Sequence, residues 1–591
     1  MEKRSKSHLW RLGAAVGAAV LLIGVLAVYA SAGPIGVASG FEDDDGNLVV
    51  NSNSTFDWNG FNPVTWNGTV PYQSASKTAS GWDFTGLTDA QATTSDTGFA
   101  GGIKQDVNCA TLKNGKAPNK DDLKRIYLAS KTVNGHVYLN LAWVRIPQNT
   151  VNASTHVGFE FNQSDTACST NSPLVQRTAG DLLFVYDFEG SSAGAATLTV
   201  RKWVTSGACD ISQDSAPCWG PASDLTASGF AEAKVNETSS TLDAVAIGSG
   251  SPAVTSPGQT LGQSEFGEAG VDLTAAGIFQ PGVCTAFGQA EGVSRSSGNS
   301  GTAAMEDLVG PGQINLSNCG EVTIIKHTDP RGVDQAFSYS STLAGSTISC
   351  SPDTSPAGFT LNDGVSTTNT EDCTNVPIGS YTVNEGAEPS GFVLESLTCT
   401  SGGSQDGTDP SQANITIAAG GDHVTCTYVN QQQLGAIKIS KTSSKGTHPG
   451  LAGAHFSITG PNSYSNSVVT GADGTVCVDG LSFGAYTVTE TAAPTGFAID
   501  DSSGHSVTVD NNAKCSDSTY VGETAPFTDT PTADIQVNFR DGGSGETSAT
   551  IDCGSPGGTT DNTAASGWDT SKTITGIHAP KTVTCTITID P

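Results

Sequence analysis

Gly484-Ala485-Tyr486-Thr487-Val488-Thr489-Glu490, running on to Pro494 and Gly496-Phe497, repeats a stretch written once before as Gly379-Ser380-Tyr381-Thr382-Val383-Asn384-Glu385, running on to Pro389 and Gly391-Phe392. Tyr, Val and Glu fall on alternate positions, and residues two apart on a β-strand share a face. The glutamate therefore lies on the apolar side, where a plain structural repeat would carry Val or Ile. Glu385 and Glu490 are candidates for chemistry inside a β-domain.

The same parity argument extends outward from both copies. Around the second, Ile437, Ile439 and Lys441 share one face while Lys438 and Ser440 take the water side, and Phe527 shares a face with Asp529. Around the first, Val322, Ile324 and Lys326 align, as do Val424, Cys426, Tyr428 and Asn430. Each segment thus aims a lysine, a glutamate and an Asn or Asp into one core. Burying an unpaired charge is costly, so a lysine and a carboxylic acid brought together without water tend to become neutral. A neutral amine is a nucleophile, and a protonated glutamate donates a hydrogen bond to the carbonyl of a neighbouring Asn or Asp. Attack would join lysine to Asn430 with loss of ammonia, or to Asp529 with loss of water, giving an intramolecular isopeptide bond. An inward ion pair is the alternative reading of the same residues.

Both segments resemble the SpaA/Cna B-type modules of Gram-positive surface proteins and pilins. In the second, the resemblance is carried by Ile437 to Lys441, Leu451-Ala452-Gly453-Ala454-His455-Phe456, the box through Phe497, and Asp529-Thr530-Pro531. The first lacks the L-A-G-A stretch and ends Asn430-Gln431, so it follows the pattern more loosely. The resemblance implies a prealbumin-like (transthyretin-like) β-sandwich for each. It also implies Lys441 joined to Asp529 with Glu490 as catalyst, and Lys326 joined to Asn430 with Glu385.

A chain of 591 residues exceeds one core, and its length suggests about three to five domains. With 70 glycines, 14% charged residues and little helical periodicity, the composition points to an all-β, multidomain protein. We expect a leader at 1–32, a large jelly-roll-like β-sandwich at 33–319, prealbumin-like modules at 320–433 and 434–531, and a small β-unit at 532–591. In the large domain Val137, Leu139, Leu141 and Trp143 share a face, and Val157, Phe159 and Phe161 repeat the pattern, as do Leu182, Phe184, Tyr186 and Phe188.

Lys3, Arg4, Lys6 and Arg11 precede an apolar run from Leu12 to Ala30, and Ala30-Ser31-Ala32 offers a cleavage site. This is the pattern of a secretory signal; left uncleaved, the same run would anchor the chain in a membrane. Either version places the remainder outside the cytoplasm, on the cell surface or in the medium. The formal net charge of −31 sets nucleic acid and anionic membrane aside as partners.

The fourteen cysteines fall in even groups. Cys109, Cys168, Cys209, Cys218, Cys284 and Cys319 belong to the large domain, Cys350, Cys373, Cys399 and Cys426 to the first module, Cys477 and Cys515 to the second, and Cys553 and Cys585 to the tail. In an exported chain this parity reads as disulfides closed within each segment. C-x-x-C spacing is absent, so sulfur ligation of a metal is not expected.

Asp43-Asp44-Asp45-Gly46-Asn47 offers Asp43 and Asp45 as Ca²⁺ ligands, but it lacks the spaced acids and closing glutamate of an EF-hand loop. A solvated acidic turn is the preferred reading. Pro118-Asn119-Lys120-Asp121-Asp122 and Gly180-Asp181 loosely resemble N-terminal regions that precede prealbumin-like modules in other secreted proteins, and read equally well as exposed turns. Hydrolase signatures such as G-x-S-x-G at an elbow or H-E-x-x-H are missing, and nothing singles out two acids as a glycosidase pair. The chain ends Thr586-Ile587-Thr588-Ile589-Asp590-Pro591, without an LPxTG-like sorting signal. The sequence thus reads as a non-enzymatic, cofactor-free structural or adhesive protein, secreted or on the cell surface, whose partner is an extracellular ligand or a cell-envelope component. Two alternatives put a carbohydrate- or Ca²⁺-dependent binding module, or an extracellular hydrolase, on the same stalk.

Overall fold

A computed structural model describes residues 34–590 apart from 52–53, 69–72, 90–95, 149–152, 170–171, 191–193, 239–240, 244, 246–259, 299, 344, 539–547, 554–558, 563–570 and 579–581. The basic and apolar leader lies outside the described residues. Within them, no helix is long and apolar enough to cross a membrane. Strands dominate, and the chain divides into two units: residues up to Pro281 with Thr285–Asn318, and Gly282–Cys284 with everything from Cys319 onward.

The first unit packs a six-stranded antiparallel sheet against a nine-stranded one. The six-stranded sheet runs Ser74–Ala79, Trp82–Thr88, Leu123–Val133, His136–Arg145, Phe266–Asp272, Ala231–Val235. Trp143 meets Tyr186 of the other sheet edge-on, with ring centroids 5.7 Å apart, inside the sandwich. Alternation assigns one buried face to His136–Arg145, yet all of its residues after His136 are buried. The chain from Ile35 to Trp66 folds over the outer face and adds Phe41, Phe56, Trp58, Phe61 and Trp66 to a cluster with Trp82, Phe84, Tyr127 and Tyr138. Tyr138, Ala142 and Val144, which alternation turns toward water, are the floor of that second core.

Asp43 belongs to this covering segment, and the solvated-turn reading is corrected there: Asp44 is exposed, but Asp43 is fully buried. Gly46 and the Trp58 indole both donate to Glu268, at 2.8 and 2.9 Å, and hold the segment against the sheet. The other two turns are corrected likewise, since Asp121, Asp122 and Asp181 are all buried.

The second unit contains two sandwiches. In the first, the sheet Ser349–Ser351, Thr370–Pro377, Cys319–Asp329, His423–Gln432, Phe392–Cys399 faces the sheet Gly358–Asn362, Ala336–Ser341, Gly379–Glu385, Gln412–Ile417, Gly403–Gln405. In the second, Thr475–Ser482, Leu434–Ser443, Glu523–Asn538, Phe497–Ile499 faces Tyr464–Val469, His455–Gly460, Gly484–Ala492, His505–Val509. The first and last strands of each sandwich are parallel neighbours, while the other strand pairs are antiparallel. Gln433 is the one residue between His423–Gln432 and Leu434–Ser443. The strand Glu523–Asn538 starts in the second sandwich and ends paired with Ser571–His578 of the tail, so residues 531 and 532 lie inside one strand.

All fourteen cysteines are paired. The first unit holds Cys109–Cys168 and Cys209–Cys218, while Cys284–Cys319, Cys350–Cys373, Cys399–Cys426, Cys477–Cys515 and Cys553–Cys585 belong to the second. Cys350–Cys373 and Cys399–Cys426 each link residues directly opposite one another on neighbouring strands.

The aromatic cover gives a test. Phe41 has its ring 4.9 Å from Trp58 and 5.0 Å from Trp82. Phe41→Ala is expected to remove about 3–5 kcal/mol from the N-terminal unit, read by calorimetry as a lowered transition for that unit with the transitions of the second unit unmoved.

Candidate functional site

The repeated motif is a strand followed by a turn, and each of its fixed residues has a job. The tyrosine hydroxyls donate to backbone carbonyls four residues upstream, Tyr381 to Pro377 at 2.7 Å and Tyr486 to Ser482 at 2.9 Å. Val383 and Val488 are fully buried in their cores. The amides of Phe392 and Phe497 close β-turns on Pro389 and Pro494, with Gly391 and Gly496 at φ of 83° and 85°. A side chain rarely adopts that conformation, which accounts for the glycine. The carbonyl of each glycine then accepts an amide three residues beyond the Asn or Asp, that of Gln433 just past its strand and that of Thr532 within Glu523–Asn538. The motif therefore fixes both the glutamate strand and the stretch just beyond the Asn or Asp.

Parallel pairing places the remaining partners. Lys326 stands opposite Tyr428 and Thr328 opposite Asn430; Lys441 stands opposite Phe527 and Ser443 opposite Asp529. In both sandwiches the acceptor is thus two residues beyond the lysine's partner, on the same inward face. That diagonal, about 7–8 Å between backbones, suits a long side chain lying along the sheet. The glutamates come from the facing sheet, where Glu385 pairs with Tyr339 and Glu490 with Phe456. Each trio therefore spans its sandwich.

In the first module the Lys326 amine is 2.5 Å from Asn430 Oδ1, 2.9 Å from the His327 carbonyl and 3.4 Å from Glu385 Oε1. The Tyr339 hydroxyl donates to the same glutamate oxygen at 3.0 Å. In the second, the Lys441 amine is 2.6 Å from Glu490 Oε2 and 2.5 Å from Asp529 Oδ1. All six side chains are buried, the lysines and acceptors at 0% exposure and the glutamates at 2%. Aromatic rings close the sites, with Phe337 centred 3.9 Å from the Lys326 amine and Phe527 5.9 Å from that of Lys441.

Burial governs protonation here. It lowers the Lys326 amine to about 8 against the opposing pull of Glu385. It raises Glu490 to about 7, with Lys441 opposing and Asp529 adding to the rise. Polar atoms are left over in both sites. Among the described residues, Glu385 Oε2 and Asn430 Nδ2 have no hydrogen-bond partner, and neither Glu490 Oε1 nor Asp529 Oδ2 meets an N–H or hydroxyl donor. A proton on Glu490 is the available donor between the two carboxyls.

Strand parity brings together Lys326, Glu385 and Asn430, and likewise Lys441, Glu490 and Asp529, as the structure places them. It misses Tyr339 and Phe337, because no local pattern says which strand faces the glutamate. Asp43 and Asp45 lie in the other unit. Asp43 is pushed well above the usual carboxylate range by burial and then by the neighbouring Glu232. Asp45 is half-buried and accepts from the side chains of Asn47 and Asn51 at 2.5 and 2.7 Å.

Comparison with known proteins follows the same division. Models of the SpaA prealbumin-like fold domain match residues 322–432 and 435–522. No curated protein matches the chain. Among solved structures, the Bacillus anthracis TIE protein is 12% identical with a TM-score of 0.29, covering 78% of this chain; the chain spans 65% of that protein's length. A streptococcal ancillary pilin is 18% identical over 47% of this chain and 81% of its own, with a TM-score of 0.21. A C-terminal fragment of the pilus adhesin SpaC from Lactobacillus rhamnosus GG is 16% identical over 36% of this chain and 97% of its own, with a TM-score of 0.23. The C-terminal half of this all-β chain thus contains two SpaA-type prealbumin-like fold domains, at residues 322–432 and 435–522.

Proposed function

We propose that the protein is a cell-surface or secreted structural and adhesive protein whose two prealbumin-like domains are stalk elements, each clasped by an isopeptide bond between its first and last strands. The observation that carries this reading is the twice-repeated trio: a lysine amine and an amide or carboxyl acceptor, both sealed from water, on parallel first and last strands with the same two-residue offset. A glutamate from the facing sheet lies beside each lysine. The neutral amine adds to the acceptor's side-chain carbonyl carbon while the protonated glutamate hydrogen-bonds its oxygen. The new N–C bond forms, the bond to Asn430 Nδ2 or to an Asp529 oxygen breaks, and the glutamate passes the amine's proton to the departing ammonia or water. Such a link removes the charged amine from a core that has no water for it. By analogy with a disulfide closing a loop of this size, it would add about 4–5 kcal/mol through the unfolded state. The pairing of every cysteine supports folding in an oxidising compartment.

Intact mass of the purified, reduced chain tests the bonds. We expect it to fall short by one ammonia and one water in all. Glu490→Ala should restore the water and Glu385→Ala the ammonia. Asp529→Asn gives a sharper test: it would leave the linked mass identical to wild type, because amide formation from Asn or Asp yields the same product. A wild-type chain of full mass would leave only the ion-pair reading.

Protonation of Glu490 is read separately. Its pKa rises from 4.5 to about 7 on folding, so between those values the folded domain holds a proton that the unfolded chain has released. Stability therefore falls as pH rises through that window. Melting between pH 4.5 and 7.5 should show the second domain losing on the order of 2–3 kcal/mol, with a markedly flatter slope in Glu490→Gln. Equal slopes in the two proteins would assign the dependence to another group.

A further inference from the structure

Four buried aspartates converge where the two sheets of the N-terminal unit meet. Asp89 follows Trp82–Thr88 and Asp122 precedes Leu123–Val133, neighbouring strands of the six-stranded sheet. Asp96 precedes Thr97–Phe99, and Asp307 lies in Met305–Ser317, where it pairs with Gly98 in the other sheet. One oxygen from each of Asp89, Asp96 and Asp307 lies within 4.8 Å of the others. Exposure is 4% for Asp89 and 0% for Asp96, Asp122 and Asp307.

The described residues supply little to balance this charge. Asp307 Oδ2 accepts the Leu123 amide at 2.7 Å, and the Lys116 amine is 3.5 Å from Asp122 Oδ2. Among the described residues, no N–H or hydroxyl group donates in good geometry to either oxygen of Asp96 or to Oδ1 of Asp307, and Asp96 meets the carboxyls of Asp89 and Asp307. Two fully buried side chains therefore aim unsatisfied oxygens into the cluster.

We propose that Asp89, Asp96 and Asp307, with Asp122 adjoining, form a site for Ca²⁺ that ties the two sheets of the N-terminal unit together. An all-oxygen, carboxylate-rich donor set selects a hard cation over Zn²⁺ or Cu²⁺. Ca²⁺ accepts carboxylates in variable geometry, whereas Mg²⁺ sheds its waters reluctantly and suits a buried cluster less. Divalent charge also answers what Lys116 and Lys124, the lysines beside Asp122, leave uncompensated by four carboxyls. The site is separate from the Asp43 segment and does not depend on the clasped domains.

The test uses the full chain stripped with EGTA and titrated with Ca²⁺ alone, followed by calorimetry and melting. At a hundredfold excess over Kd, the N-terminal transition should rise by about 5 °C or more. Asp96→Asn and Asp307→Asn should each abolish that shift. Lys116→Met leaves all four aspartates in place and removes a competing cation, so it should tighten Ca²⁺ binding several-fold. The proposal is overturned by a wild-type chain that gives no binding heat and no shift. It is equally overturned by a shift that Mg²⁺ reproduces at the same ionic strength, by one that survives both Asn substitutions, or by a Ca²⁺ affinity unchanged in Lys116→Met.

Discussion

An amine sealed between the first and last strands of a sandwich is the constraint around which each prealbumin-like domain is organised. Lys326 and Lys441 are completely buried, so every neighbour must either neutralise the amine or consume it. Parallel pairing of the terminal strands brings an acceptor within reach along the diagonal, and the facing sheet brings the glutamate. Phe337 and Phe527 complete the enclosure with ring faces instead of water. Exposed to water, the same groups would make only an ordinary surface ion pair.

The two sites solve the same problem with different charge inventories. The first has one acid, and its amide acceptor is neutral; a tyrosine hydroxyl steadies the glutamate, which lies 3.4 Å from the amine. The second has two carboxyls on one amine, both in closer contact, and their mutual repulsion adds to the effect of burial in holding a proton on Glu490. In the first domain the cost of burial falls on the lysine, and in the second it is visible on the glutamate.

Much of this was legible in the chain, because strand parity is a local property. Tyr486, Val488 and Glu490 share a face whatever their neighbours are, and the same holds for Lys441 or Asn430. Strand neighbours are not local, so parallel pairing, the two-residue offset and the role of Tyr339 had to come from the fold. Parity also fails where a sheet is covered twice. It gives His136–Arg145 a wet face, but the segment from Ile35 to Trp66 buries that face under aromatic rings and carries Asp43 in with it. The aspartate cluster is harder still to read, because Asp89, Asp96, Asp122 and Asp307 come from separate loops and strands and have no common spacing.

The joins between successive sandwiches have a consequence for degradation. Gln433 alone separates two strands, its amide held by Gly391, and the strand Glu523–Asn538 passes from the second domain into the tail without a break. Endoproteases need several consecutive residues whose backbone is free to settle into an extended groove. Those peptide groups are already engaged in ladders at both places, so neither join offers the exposed tether at which bead-like proteins are usually clipped. A protease would have to unfold a domain before it could cut at either join.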